Sequence, residues 1–122
     1  MFGFMDKILR VNLTNGKSTR EKVSEENQKK FLGGRGLAIS VLYRELKAGI
    51  DPLGSENKLI FATSPLCTTG IPGDTRFVVA GKSSLTGILG EGNCSGWFAD
   101  GLKQDMMPLL LKVFQIPLSI FG

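Results

Sequence analysis

No histidine occurs anywhere in the 122 residues, which removes Ser-His-Asp and Cys-His catalysis and every His-bearing zinc site from the chain itself. Proton transfer within it falls to Asp, Glu, Lys, Tyr or Cys. Cysteine is nearly as scarce. Cys67 and Cys94 form no CxxC pair and cannot supply the four thiolates of an iron–sulfur cluster. A single Tyr and a single Trp give no aromatic platform of the RNA-binding kind. The net charge of +4 is scattered from Lys7 to Lys112 rather than gathered in a patch, so no nucleic-acid partner is expected. The opening MFGFMDKILR lacks the basic start and long apolar run of a secretory signal, and a reducing, cytoplasmic location follows as the default. Met106 to Phe121 is apolar but carries Lys112, Gln115 and two prolines; it is shorter than the roughly 20 residues of a spanning helix, and no membrane anchor is expected.

What is present is a chain of 13.2 kDa, 42% hydrophobic and 21% charged, the size and composition of one globular domain. Its one excess is glycine, with 16 residues concentrated between Gly33 and Gly101. Glycine at that density signals sharp turns or a backbone held close to something. Lys7 to Leu13 and Lys17 to Val23 flank Asn15-Gly16, the dipeptide best suited to a tight hairpin turn. Ser24 followed by Glu25 and Glu26 predicts a helix start, with Gly33-Gly34 as its stop. Leu37 to Leu46 reads as a second helix. Lys58 to Thr63 and Arg76 to Ala80 are compact apolar runs that predict buried strands.

Between those strands lies SPLCTTGIPGDT (Ser64 to Thr75), a long loop of the kind that often carries function. The stretch from Gly81 to Lys103 is too rich in glycine to be one regular element, and a helix is expected to begin near Gly96 to Phe98. Gly87, Gly90 and Gly92 resemble a phosphate-binding loop in content, yet their spacing fits neither the dinucleotide nor the Walker fingerprint. Arg76, at the mouth of a strand, presents a fork of donors suited to a phosphate or the edge of a heterocycle; a solvated surface arginine is the commoner outcome. Glu91 and Asp100 read as a solvated pair and Trp97-Phe98 as core.

In order along the chain, KILRVNLTNGK, FLGGRGLA (Phe31 to Ala38), DPLGSENKLIFATSPL (Asp51 to Leu66), TGIPGDTRFVVAGKSSLTG (Thr69 to Gly87) and GNCSGWF (Gly92 to Phe98) resemble the N-terminal domain of the aldehyde ferredoxin oxidoreductase family. The resemblance implies an α+β fold, a saddle of β-sheet with short helices, on which two pterin cofactors sit. It implies a cytoplasmic tungsten or molybdenum oxidoreductase that oxidises aldehydes to carboxylic acids and passes electrons to ferredoxin. The [4Fe-4S] cluster and most catalytic side chains of that family belong to later domains, so no catalytic residue is expected here. Arg76 falls where the family places an arginine on the pterin cofactor. Asn93 falls where a backbone carbonyl helps hold the magnesium between the two cofactor phosphates, and Ser95 where a cofactor-contacting glycine is usual. Ser84 for proline and Ala99 for glycine are further departures, none of which removes a charge or a ligand side chain.

The resemblance divides the chain into a partial family domain, 1–104, and a non-family tail, 105–122. After Lys103 the family would continue with a segment like AGYDAIIIEG, whereas this chain reads QDMMPLLLKVFQIPLSIFG. The codon string GAT ATG ATG CCA TTA TTA TTG AAG GT encodes Asp105 to Lys112 and the start of Val113, and its neighbouring frame reads YDAIIIEG. The tail is therefore expected to be the product of a frame slip, to contribute no family element, and to leave the sheet incomplete with an unpaired edge. On this reading the chain is a fragment inactive by itself, with a separately encoded remainder as its partner. The alternative is a non-catalytic binding stub or split-gene subunit without activity of its own.

Overall fold

The computed structural model describes residues 7–12, 15–104 and 111–115. The Asn15-Gly16 turn joins β1 (Lys7–Asn12) to β2 (Lys17–Lys22) as the dipeptide predicts, and the Asn15 side chain accepts the Lys17 amide at 2.9 Å. Two helices follow, α1 (Glu25–Phe31) and α2 (Gly34–Glu45), then β3 (Leu59–Thr63), β4 (Arg76–Lys82), β5 (Leu89–Ser95), α3 (Trp97–Gln104) and β6 (Leu111–Gln115). The strands form one six-stranded sheet in the order β2-β1-β6-β3-β4-β5. The β1–β6 pair is parallel and the others are antiparallel, so the class is α+β.

Directly opposed residues of neighbouring strands share a face, which sorts the sheet without further assumption. Ile60 opposes Ala80 and Ala62 opposes Val78; these residues, with Ile8, are buried beneath Leu37, Ala38, Val41 and Leu42 of α2. Two glycines permit close approaches at the start of the helix, one to the end of α1 and one to the chain leaving β3. A Cβ at Gly36 would stand 2.5 Å from the Phe31 carbonyl oxygen, and one at Gly33 would stand 2.8 Å from Pro65 Cδ, separations that no side chain tolerates. The GGRG motif thus both ends α1 and seats the start of α2 at the Thr63 end of β3. On the opposite face Phe77 meets Phe61 with ring centroids 6.4 Å apart and Phe98 of α3 at 4.9 Å.

Two elements depart from the sequence reading. The glycine-rich stretch contains a strand, β5, because β4 supplies a full ladder of partners from Arg76↔Ser95 to Lys82↔Leu89, and an edge position tolerates glycines that an isolated strand would not. The expectation that the tail 105–122 leaves the sheet incomplete is corrected by β6, which lies between β1 and β3 near the sheet's centre. Leu-Lys-Val-Phe-Gln is apolar and β-prone enough to fill that place. The rest of the tail lies outside the described residues. No helix among the described residues is long and apolar enough to cross a membrane.

Glu45, the last residue of α2, ties the helix to the sheet. Arg10 of β1 donates to both of its carboxylate oxygens, to Oε2 at 2.8 Å, and Lys58 Nζ donates to Oε2 at 2.5 Å. Arg10 also lies 2.7 Å from Glu21 of β2. Burial pushes the Glu45 carboxyl up, but the bonds from Arg10 and Lys58 outweigh it and bring the pKa from 4.5 down to about 2. A carboxylate held below its unfolded value stabilises the fold above that value and loses the contribution as pH falls toward the folded one. Denaturant midpoints measured along a pH series will therefore fall between about pH 4.5 and about pH 2. Glu45→Gln will flatten that slope and cost about 1–3 kcal/mol near neutral pH, since Arg10 and Lys58 lose a charged acceptor.

Candidate functional site

The antiparallel register of β4 and β5 brings the three residues singled out from the sequence to one place. Arg76 opposes Ser95 and Val78 opposes Asn93. Arg76, Asn93 and Ser95 therefore share a face, the one α2 covers further along the sheet. All three are exposed. Arg76 makes no ion pair among the described residues, so its guanidinium is available to a ligand.

The hydrogen bonds at the two ends of the hairpin fix which main-chain groups point outward. Gly96 N donates to Thr75 O at 3.0 Å and Ser83 N to Ile88 O at 2.8 Å. In an antiparallel ladder the bonded pairs alternate, so Phe77/Cys94, Val79/Gly92 and Gly81/Gly90 are the bonded ones between these ends. Asn93 is in an unbonded pair, and its N–H and C=O point away from β4. Among the described residues no strand lies beyond β5. The Asn93 carbonyl, flanked by those of Glu91 and Ser95, thus faces an open edge, where a hard cation would find oxygen ligands. The described residues contain no cluster of three or more His, Cys, Asp or Glu side chains, so a metal bound here would rely on main-chain oxygen and on its own ligand's phosphates.

The long loop before β4 is ordered by its own side chains. Cys67 is fully buried, and its Sγ donates to Asp74 O at 3.0 Å and to Arg76 O at 3.3 Å. Thr69 N donates to Asp74 Oδ2 at 3.2 Å. The thiol fixes the point at which the chain enters β4, and with it the root of the Arg76 side chain. On the other strand Glu91 is not the solvated residue the sequence suggested. Arg35, at the start of α2, donates Nε to Glu91 Oε2 at 2.6 Å and a second N–H to Oε1, and the Glu91 side chain is only 19% exposed. The pairing was illegible in sequence because 56 residues separate the partners. Trp97 and Phe98 are likewise not core, at 88% and 57% exposed, although Phe98 packs on Phe77 on the sheet face opposite Arg76. Leu66 and Ile71 of the loop are also exposed.

Comparison with known proteins agrees with the motifs. A model of the aldehyde ferredoxin oxidoreductase N-terminal domain matches residues 8–109. The tungsten-containing aldehyde ferredoxin oxidoreductases of Pyrococcus abyssi and Pyrococcus furiosus are 48% and 45% identical over 103 residues, 84% of this chain and 17% of each relative. The aliphatic sulfonate oxidoreductase, WOR-like subunit, of Pyrococcus furiosus is 39% identical over 94 residues, 75% of this chain and 15% of that protein. Among solved structures, the active site complex BamBC of benzoyl coenzyme A reductase with 1,5 dienoyl-CoA superposes with a TM-score of 0.88 at 27% identity, covering 93% of this chain and 17% of that one. The chain thus spans about a sixth of the length of these relatives.

The two cysteines, Cys67 buried and Cys94 exposed, should separate cleanly in a labelling experiment. Under native conditions a disulfide reagent will modify Cys94 rapidly and leave Cys67 until the domain opens, because reaction requires access of the thiolate. Cys67→Ala will cost about 1–3 kcal/mol in a denaturation titration by removing the shared S–H contact to Asp74 O and Arg76 O and emptying the space the buried sulfur fills.

Proposed function

The chain belongs to the aldehyde ferredoxin oxidoreductase family, and from that premise we propose that it forms the cofactor-seating N-terminal part of a tungsten or molybdenum bis-pterin oxidoreductase. The observation that carries this reading is the β4–β5 edge, where an unpaired guanidinium and an outward main-chain carbonyl stand on adjacent strands. Arg76 is assigned to the pterin cofactor, by bidentate hydrogen bonds to a phosphate or a heterocycle edge. The Asn93 carbonyl is assigned to the magnesium between the cofactor phosphates. Ser95, directly opposite Arg76, contacts the cofactor, and its hydroxyl occupies space a glycine would leave open. The residues present fit the group: the charge is complementary to phosphate, and the open edge needs no rearrangement. When bound, the metal–pterin group supplies the two-electron oxidation of an aldehyde to a carboxylic acid, with ferredoxin as acceptor. This chain's part is to bind and orient.

The surrounding surface favours a working state in which more protein covers this domain. Trp97 and Phe98 of α3 and Leu66 and Ile71 of the loop before β4 are exposed, as are Tyr43, Leu85, Ile88 and Leu89 toward the other end of the hairpin. Apolar surface on that scale marks an interface. We assign it to the remainder of a cytoplasmic family enzyme, encoded beyond a frame slip after Lys103, with the [4Fe-4S] cluster in that remainder. A binding stub without activity is the second reading, favoured by the absence of cluster cysteines from this sequence.

Sequencing the gene past the codon for Lys103, and expressing it with the frame restored, tests the proposal. The 122-residue chain will show no aldehyde oxidation with ferredoxin or a viologen dye, whereas the restored product will bind tungsten and turn over. In that product Arg76→Ala will lower tungsten–pterin occupancy about tenfold or more, the loss expected for a charge-assisted bidentate contact. Turnover by the short chain alone, or full occupancy in the Arg76 variant, would overturn it.

A further inference from the structure

The open edge that presents Asn93 is weakly held by its own composition. Gly90 and Gly92 occupy two of the seven positions of β5, and nearly every residue of the strand is exposed. Among the described residues β5 has a sheet neighbour only in β4. Glycines lend a strand no side chain to pack and allow it more freedom, so the ladder to β4 would by itself leave the outward carbonyls loosely directed. Across the sheet face, Arg35 reaches from the first turn of α2 and clamps Glu91 with both arms of its guanidinium. Glu91 lies two residues before Asn93, on the same face and about 7 Å away along the strand.

We infer that Arg35 and Glu91 are a positioning pair for the ligand edge: the pair anchors β5 to the helical layer and so holds the Asn93 main chain where it can meet a metal–phosphate group. The inference rests on the assignment of Asn93 to magnesium proposed above. The pair acts in two ways. It couples the edge strand to α2, whose position is fixed by the buried core and by the Arg10–Glu45–Lys58 cluster at its other end. It also neutralises Glu91, whose bare carboxylate would otherwise repel an anionic cofactor beside Arg76. Neither residue needs to touch the ligand. The GGRG motif thereby gains a second role, since the glycines that seat α2 against the sheet also bring Arg35 within reach of β5.

The test uses the whole 122-residue chain, labelled with nitrogen-15, as Arg35→Gln, Glu91→Gln and the double exchange Arg35→Glu with Glu91→Arg. The first readout is amide exchange at Gly92 and Cys94, whose N–H groups bond inward to β4, with Val41 and Leu42 of α2 as internal controls. Each single variant is expected to raise exchange at Gly92 and Cys94 about two- to fivefold, the range of a partly exposed ion pair, and to leave the α2 amides unchanged. The exchanged pair is expected to restore protection. The second readout is paramagnetic broadening of the Asn93 and Ser95 signals by manganese with inorganic pyrophosphate, expected in the parent chain, weaker in the single variants and recovered in the exchanged pair. Unchanged exchange at Gly92 and Cys94 in both single variants overturns the inference, as does broadening that survives undiminished in them. Failure of the exchanged pair to rescue assigns the effect to the separate side chains and overturns the pair. If exchange responds as expected while the parent chain shows no broadening, the positioning of the strand stands and the magnesium assignment of Asn93 falls.

Discussion

The register between β4 and β5 is the constraint on which the site depends. A slip of one residue would carry Asn93 and Ser95 to the opposite face from Arg76 and turn the Asn93 carbonyl inward. The hairpin is locked against that slip at both ends, by Gly96 N to Thr75 O at one and by Ser83 N to Ile88 O at the other. The side-chain contacts around it reinforce the same alignment: the buried Cys67 thiol fixes the entry to β4, and Arg35 holds β5 from above. A site assembled largely from main-chain groups has no other means of being specified, because its ligands are present in every residue and only their direction distinguishes them.

The stable part of the molecule lies elsewhere. The buried cluster sits between α2 and the strands β1, β3 and β4, and the ion cluster around Glu45 joins β1, β2, the end of α2 and Lys58, just before β3. The edge at β5 contributes little burial and is correspondingly free to present polar groups. This division follows from P–H patterning as much as from function, since strands that oppose a helix must be apolar on that face while an edge strand beyond the helix is under no such demand. Rigid support and an underpacked ligand edge are compatible because α2 touches both.

How much of this was legible in the sequence depended on whether the signal was local. Asn15-Gly16, the Ser24 cap and the GGRG break are each read within a few residues, and all appear where the local chemistry puts them. Arg76 stood out because it opens an apolar run after a glycine–proline loop. β5 did not, because its strand character comes from β4 rather than from LGEGNCS itself, and Glu91 read as solvated because its partner is on a distant helix. Trp97 and Phe98 were misread for a different physical reason. Large aromatic residues are normally buried, and the exception arises where a surface awaits a partner, which a single sequence does not mark.

The central strand β6, Leu111–Gln115, lies beyond the residues that the family model matches and still takes a place between β1 and β3. A strand between two neighbours is specified chiefly by hydrophobicity, β-propensity and the ladder its neighbours offer. Side-chain identity matters more at sites that bind a cofactor or hold a cluster, where no such redundancy exists. The five residues of β6 meet the first demand with Leu111, Val113 and Phe114, so this strand's place in the sheet requires no more of its sequence than apolar character and β-propensity.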